Sequence, residues 1–408
     1  MDHAPTVRFL DRSTPPHIVT LILLAGLSAL AMNVFLPSLP KMTEHFGTEY
    51  RLMQLSVAIY LGVNAALQIA IGPVSDKLGR RPVILWGVGL FLIATLGCIF
   101  APNVAMFLVF RMCQAVIVAA MVLSRAVVRD MVPADQAASM IGYVTMGVAV
   151  VPMIGPVIGG VLGEMFGWQA SFWMLFVLGV AIFWLSWRDL GETSRASGLS
   201  LAQQFREYPE LLRSPRFWGY ALACAFSSGA FFAYLGGAPF VGSEVFGLSP
   251  SALGLFFGVP AIGYFLGNGI SGKFSARFGI NRMILWGCLI NTFGLLAALA
   301  VFAVGFDSEW TFFGFMAFVG LGNGLTIPNA TSGTLSVRPH LAGTASGLGG
   351  AIMIGGGAGL SALAGALLQP GTGAWPLLWL MAATGVASIA AILVVIRRER
   401  QLGALPLS

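Results

Sequence analysis

A helix must present roughly 20 consecutive apolar residues to cross the hydrocarbon core of a bilayer. This sequence does so twelve times, near residues 17–40, 52–73, 82–101, 104–127, 139–163 and 168–187, and again near 216–241, 250–272, 283–305, 309–336, 343–368 and 374–396. The runs are apolar on all faces. Spanning β-strands would instead be short segments of about ten residues with alternating polarity. Only 9% of the residues are charged, against about a quarter in soluble domains. Such a chain cannot cover itself with water-compatible surface. The expected fold is an all-α integral membrane protein with twelve transmembrane helices.

The charges that remain report orientation. Of the 22 Lys and Arg residues, 18 fall in the tails and in the loops on the side that holds both termini. Lys41 and Arg51 fall on the other side, and Arg111 and Arg125 lie within helix 4. The positive-inside rule then places both termini in the cytoplasm, as an even number of spans requires. The net charge of +6 is thus topological, and no nucleic-acid partner is expected. The polar stretch Met1–Pro16 precedes an apolar run too long for a signal-peptide core, so the first helix is expected to stay in place. Cys98, Cys113, Cys224 and Cys288 lie inside apolar runs without metal-ligand spacing, and His3, His17, His45 and His340 sit in tails, loops or helix ends. Neither a metal site nor a cofactor is expected, and no catalytic constellation marks an enzyme.

The chain repeats itself. Residues 72–87 read GPVSDKLGRRPVILWG and residues 272–287 read GKFSARFGINRMILWG, with seven of sixteen positions identical at an offset of 200. Both segments join the second helix of a half to its third. Internal repeats of this kind describe transporters built from two similar bundles around a site near the midplane. The expected division is an N-terminal six-helix bundle over 1–187, a cytoplasmic linker over 188–215 and a C-terminal six-helix bundle over 216–408, pseudo-symmetric with the first. The linker is polar, with an amphipathic helix expected near Leu201–Leu212.

Three N-terminal segments carry chemistry. In the loop Gly72-Pro73-Val74-Ser75-Asp76-Lys77-Leu78-Gly79-Arg80-Arg81, Gly72 would allow close helix approach and Gly79 a turn with positive φ. Asp76 would accept from the positive end of a facing helix, expected to be helix 11 near Gly343, and Arg80, Arg81 and Arg125 or Arg129 would complete an ion-pair network. In helix 4, Arg111 is followed by Gln114 and Ala115. It lies eight residues past Asn103, about 12 Å deep at 1.5 Å per residue. A guanidinium at that depth usually faces a wet cavity or a partner. In helix 5, Gly147, Gly155, Pro156, Gly159 and Gly160 combine close packing with a bend.

With these segments the chain resembles the major facilitator superfamily over about residues 17–396. More narrowly it is similar to the Bcr/CflA type of bacterial drug:proton antiporter, associated with bicyclomycin and chloramphenicol-type resistance. The resemblance implies that the loop is a conformational latch, that Arg111 takes part in proton coupling, and that the helix 5 segment is the antiporter motif. One position departs from the pattern. The family usually has Asp, its proton carrier, where this chain has Asn33. Asn33 cannot titrate, and none of the 16 acidic residues falls at mid-membrane depth. Coupling through another group, uncoupled transport and an engineered Asp→Asn change all stay open.

Without a buried acid the cavity is expected to be largely apolar. Candidate lining residues are Tyr60, Asn64 and Gln68 on helix 2, Met146 on helix 5, Phe226, Phe231, Tyr234 and Phe256 on helices 7 and 8, and Asn323 and Asn329 on helix 10. Aromatics with a few amides suit neutral amphipathic compounds. The expected function is proton-driven export of small drug-like compounds by alternating access across a bacterial inner membrane, by a monomer whose other partners are protons and the lipid bilayer. A facilitator or a proton-coupled symporter of a small metabolite is the alternative.

Overall fold

The computed structural model describes residues 7–131, 151, 154–193, 209–338, 341–401 and 403. Eleven helices among these residues are long and apolar enough to cross a membrane, and Ile154–Met165 forms a shorter apolar helix in the fifth position. No strand occurs among the described residues. The part of the linker where the amphipathic helix is expected lies mostly outside them.

Helix α1 runs over Ile18–Asn33, with His17 capping its first turn through a hydrogen bond from the Val19 amide. It stops because Pro37 and Pro40 offer no N–H to the turns before them. The chain continues as the tight turn Leu36–Ser38 and the short helix Leu39–His45. Helix α2 covers Tyr50–Leu78 and α3 covers Arg80–Ile99. Asn103 caps α4, which comprises Val104–Gln114, a tight turn at Ala115–Ile117, and Val118–Met131. Then come α5 (Ile154–Met165) and α6 (Gln169–Asp189). The second half comprises α7 (Pro215–Phe240), α8 (Pro250–Phe256 with Val259–Phe278), α9 (Ile280–Ala303), α10 (Glu309–Val337), α11 (Ala342–Leu367) and α12 (Trp375–Gln401).

The offset of 200 is visible in the backbone. Gly79 and Gly279 have φ of 96° and 81°, both with ψ of 152°, and each amide bonds the carbonyl four residues back, of Ser75 and Ser275, at 2.9 Å. A side chain is strained at such φ values. A second symmetry lies at the sixth helix of each half, where a buried carboxylate ties that helix to the first. Asp189 accepts from the Leu10 amide at 2.7 Å, the His17 amide at 2.9 Å and the Thr20 hydroxyl at 2.6 Å. Glu399 accepts from Arg216 at 2.6 Å, Tyr220 at 2.9 Å and Asn281 at 2.6 Å. Hydrogen bonds offset the desolvation of both carboxylates.

Glycines set the helix spacing. Gly155, Gly159 and Gly163 form one stripe of α5 and lie on the broken end of α1, against Leu30, the Val34 carbonyl and Ser38. On the adjacent face, Gly160 meets the Pro250 carbonyl of α8, and Gly254 of α8 meets the Pro156 carbonyl. Helix α5 is therefore wedged between the halves. Large apolar side chains such as Trp86, Ile93, Phe293 and Trp379 point outward and are exposed, as lipid requires.

A methyl group on Gly159 would overlap the Val34 carbonyl, and overpacking of this kind costs about 1–3 kcal/mol. Gly159→Val is expected to lower the thermal unfolding midpoint in detergent by several degrees. Gly269→Ala, which enters open space, is expected to leave it unchanged. Equal midpoints for the two variants would contradict this seating of α5.

Candidate functional site: a buried arginine at the break in helix 1

Arg111 is 1% exposed and is the largest fully buried side chain among the described residues. Its Nε donates to the Ser56 carbonyl of α2 at 3.3 Å, one terminal nitrogen donates to Gln114 at 2.8 Å, and the other donates to the Ala31 carbonyl of α1 at 2.9 Å. The guanidinium carbon lies over two aromatic rings, Phe35 at 4.3 Å and Tyr60 at 4.0 Å. Gln114 is itself held by Thr95 of α3 at 2.8 Å, and Thr95 donates to the Phe91 carbonyl at 2.7 Å. One side chain thus ties α1, α2 and α4 directly, and α3 through Gln114.

The break in α1 makes this possible. Ala31 lies in the last turn before Asn33, where carbonyls lack intrahelical partners. That end of the helix carries partial negative charge. No carboxylate shares the site: the ion pairs among the described residues are Arg51–Glu49, Arg80–Asp76, Arg80–Asp130, Arg216–Glu399 and Arg338–Glu210. Among the described residues the charge of Arg111 is therefore met by carbonyl dipoles and ring quadrupoles. Cation–π contacts are worth about 2 kcal/mol or more when desolvated.

Asn33 lies two residues past Ala31 and is 1% exposed. Among the described residues neither of its amide atoms has a hydrogen-bond partner, and neither do the hydroxyls of Tyr60 and Ser56. Buried polar atoms are normally satisfied, so this set stands out. The structure brings Arg111, Tyr60 and the α1 break together. On the next turns of α2, Asn64 accepts from Gln68 at 2.8 Å, and Gln68 also lies beside Gly350 of α11.

The remaining lining candidates sit apart. Asn323 accepts from Ser227 at 2.8 Å and belongs to a network inside the second half that includes Asn291. Asn329 donates to Ser271 and to the Leu325 carbonyl, both at 2.8 Å, joining α10 to α8. Phe256 stacks on Phe313 at 4.7 Å and touches Trp310. Tyr234 is fully buried and stacks on Phe231 and Phe312. Phe226 is partly buried on α7. Met146 and Gly147 lie outside the described residues.

The loop network differs from its expected form. Among the described residues Gly72 approaches no neighbour: a side chain there would meet none of their atoms within 4 Å. Asp76 is paired with Arg80 of its own turn, 2.6 Å away. Arg80 also reaches Ser75 and Asp130. Arg81 caps the end of α6 through the carbonyls of Leu190 at 2.8 Å and Trp187 at 3.2 Å. Glu192 accepts from the Arg80 and Arg81 amides at 2.8 and 3.2 Å, which places an anion at the positive end of α3. Arg125 is not the closing member. Among the described residues its buried Nε has no hydrogen-bond partner, and it lies within electrostatic range of Tyr264 on α8. Asp130 and Glu192 close the network instead; their sequence signal is only acidity near a helix end.

Sequence reasoning also passed over the seam between the halves. Gln54 of α2 donates to the carbonyl and hydroxyl of Ser361 on α11 at 2.5 and 2.8 Å. The Tyr50 hydroxyl donates to the Gly236 carbonyl of α7 at 2.8 Å, and the Ser251 amide donates to Glu164 at 3.1 Å. All three bridges lie at the end opposite the termini. A polar Gln in an otherwise apolar turn was the available signal for the first.

Comparison with known proteins agrees with this geometry. The model of the Major Facilitator Superfamily matches residues 21–362. A chloramphenicol resistance protein of Pseudomonas aeruginosa is 31% identical, covering 80% of this chain and 79% of its own. Multidrug resistance protein D of Escherichia coli is 28% identical over 88% of this chain and 91% of its own. A bicyclomycin resistance protein homolog of Haemophilus influenzae is 27% identical over 93% and 96%. Among solved structures, a bacterial homolog of the human lysosomal transporter Spinster superposes with a TM-score of 0.73 at 19% identity, covering 96% of this chain and 98% of that one. The peptide transporter POT superposes with a TM-score of 0.76 at 13% identity, covering 95% and 94%. These last two speak for the fold alone. The family model spans both halves, and the chain belongs to the major facilitator superfamily, as a membrane transporter of the Bcr/CflA type and not an enzyme.

Proposed function

We propose that this transporter exports small, neutral, amphipathic compounds by alternating access, with protons as the counter-ion. The observation that carries the reading is the seam. Hydrogen bonds from Gln54, Tyr50 and Ser251 join the halves at the end opposite the termini. Closure at one end is what a carrier rocking between two states needs. The bundles 1–187 and 216–408 are the moving halves and 188–215 their tether. The distribution of basic residues supports cytoplasmic termini in a bacterial inner membrane. The names of the resistance relatives support drug-like cargo, and the rings and amides around Arg111 suit neutral molecules. The transporter works as a monomer.

Asn33 favours a second reading, a facilitator without proton coupling, because an amide does not titrate. Everted vesicles with an acidic lumen separate the two. Coupled export concentrates a phenicol inside above the outside level, and a facilitator equilibrates it equally with and without the gradient. In the same assay Asn33→Asp is expected to steepen the pH dependence of uptake. An unchanged profile would exclude this position from coupling.

Each hydrogen bond from Gln54 to Ser361 contributes about 1 kcal/mol. Gln54→Ala should therefore shift the equilibrium away from this closure by more than tenfold and lower uptake by a similar factor while the protein still folds. Wild-type uptake by that variant would contradict the role of the seam.

A further inference from the structure

The last turns of α12 sort their charges by face. Glu399 turns inward to Arg216, Tyr220 and Asn281. Arg397 and Arg400 are exposed. Three residues apart, they share one face of the helix. Leu393 and Ile396 continue that face away from the C-terminus, and Leu285 of α9 supplies the facing wall. With Gln401, these residues line a groove of about 670 Å³ on the outside of the second half. No ion pair among the described residues engages Arg397 or Arg400.

The groove therefore has two parts, a cationic end and an apolar wall. Leu393 to Arg400 spans about 10 Å along the helix, enough to pass from the phosphate level of a bilayer into its acyl region. Guanidinium groups bind phosphate oxygens bidentately. A small soluble anion would occupy the arginines and leave the wall bare. A zwitterionic lipid would cover the wall but bring its own ammonium toward the arginines. We infer that this groove binds an anionic phospholipid, with the phosphate on Arg397 and Arg400 and an acyl chain along Leu285, Leu393 and Ile396. The lipid clamps α9 to α12 on the outside of the joint that Asn281 and Glu399 make on the inside.

Native mass spectrometry of the delipidated full-length protein tests the assignment with three probes: phosphatidylglycerol, phosphatidylcholine and soluble glycerol phosphate. A basic side chain near an anionic lipid surface is worth about fivefold in binding. Phosphatidylglycerol should bind roughly 20- to 30-fold more tightly than phosphatidylcholine. The double variant Arg397→Gln, Arg400→Gln should lose that preference while its binding of phosphatidylcholine is unchanged. Arg397→Lys, Arg400→Lys should keep most of it, which covers poor folding of the first variant. Arg277→Gln removes an exposed arginine at the same end but outside the groove, and should change nothing. Equal binding of both lipids by the wild type would overturn the site. So would an equal loss in Arg277→Gln, or competition by glycerol phosphate as effective as that of the lipid.

Discussion

One contact organises the N-terminal half: the guanidinium of Arg111 against the open end of the first helix. A charge buried without a counter-charge is normally expensive. Here three helices share the burden. The Ala31 carbonyl is free because α1 stops at Asn33, the Ser56 carbonyl approaches from α2, and Gln114 is preset by Thr95 on α3. Phe35, one of the two rings, lies just past the same break. The prolines that end α1 therefore create both the acceptor and the aromatic cover. Lysine could supply the charge, but not the planar fork that reaches three acceptors beside two rings.

The glycine-rich helix depends on the same break. A continuous α1 would not present the Val34 carbonyl and Ser38 where Gly159 and Gly163 receive them. The other face of α5 accepts α8 through Gly160 and Pro156. Any tilt of α5 thus acts on α1, and so on Arg111, as well as on the second half. This is a physical route by which rearrangement between the halves reaches the buried charge. The polar groups left without partners among the described residues, Asn33, Tyr60 and Ser56, lie on the elements that such a tilt would move.

Much of the fold was legible because lipid imposes one strong constraint, and runs such as 82–101 or 374–396 satisfy it only as spanning helices. The repeat was legible because Gly79 and Gly279 need the same backbone conformation, so the glycines persist where the flanking residues differ. Arg111 stood out because intramembrane charge is rare. What stayed hidden was partnership across long sequence distance. Asp76 pairs with Arg80 of its own turn and Arg80 reaches on to Asp130, 50 residues away. Asp189 and Glu399 look like ordinary charges at helix ends, yet both are buried by elements some 170 or more residues away. Asn329 and Phe256 have the composition of cavity residues, but composition does not say which face of a helix meets which neighbour.

The account stands on Arg111 acting through shape as well as charge. The most direct test is drug uptake into everted vesicles by Arg111→Lys, alongside its unfolding midpoint in detergent. The account predicts a protein that folds, with a midpoint lowered by several degrees, and transport reduced by about a hundredfold or more, since the loss of two or more charge-assisted hydrogen bonds is worth about 3 kcal/mol. Transport at the wild-type level by Arg111→Lys would contradict it, because a point charge would then suffice and the contact with the end of the first helix would be incidental.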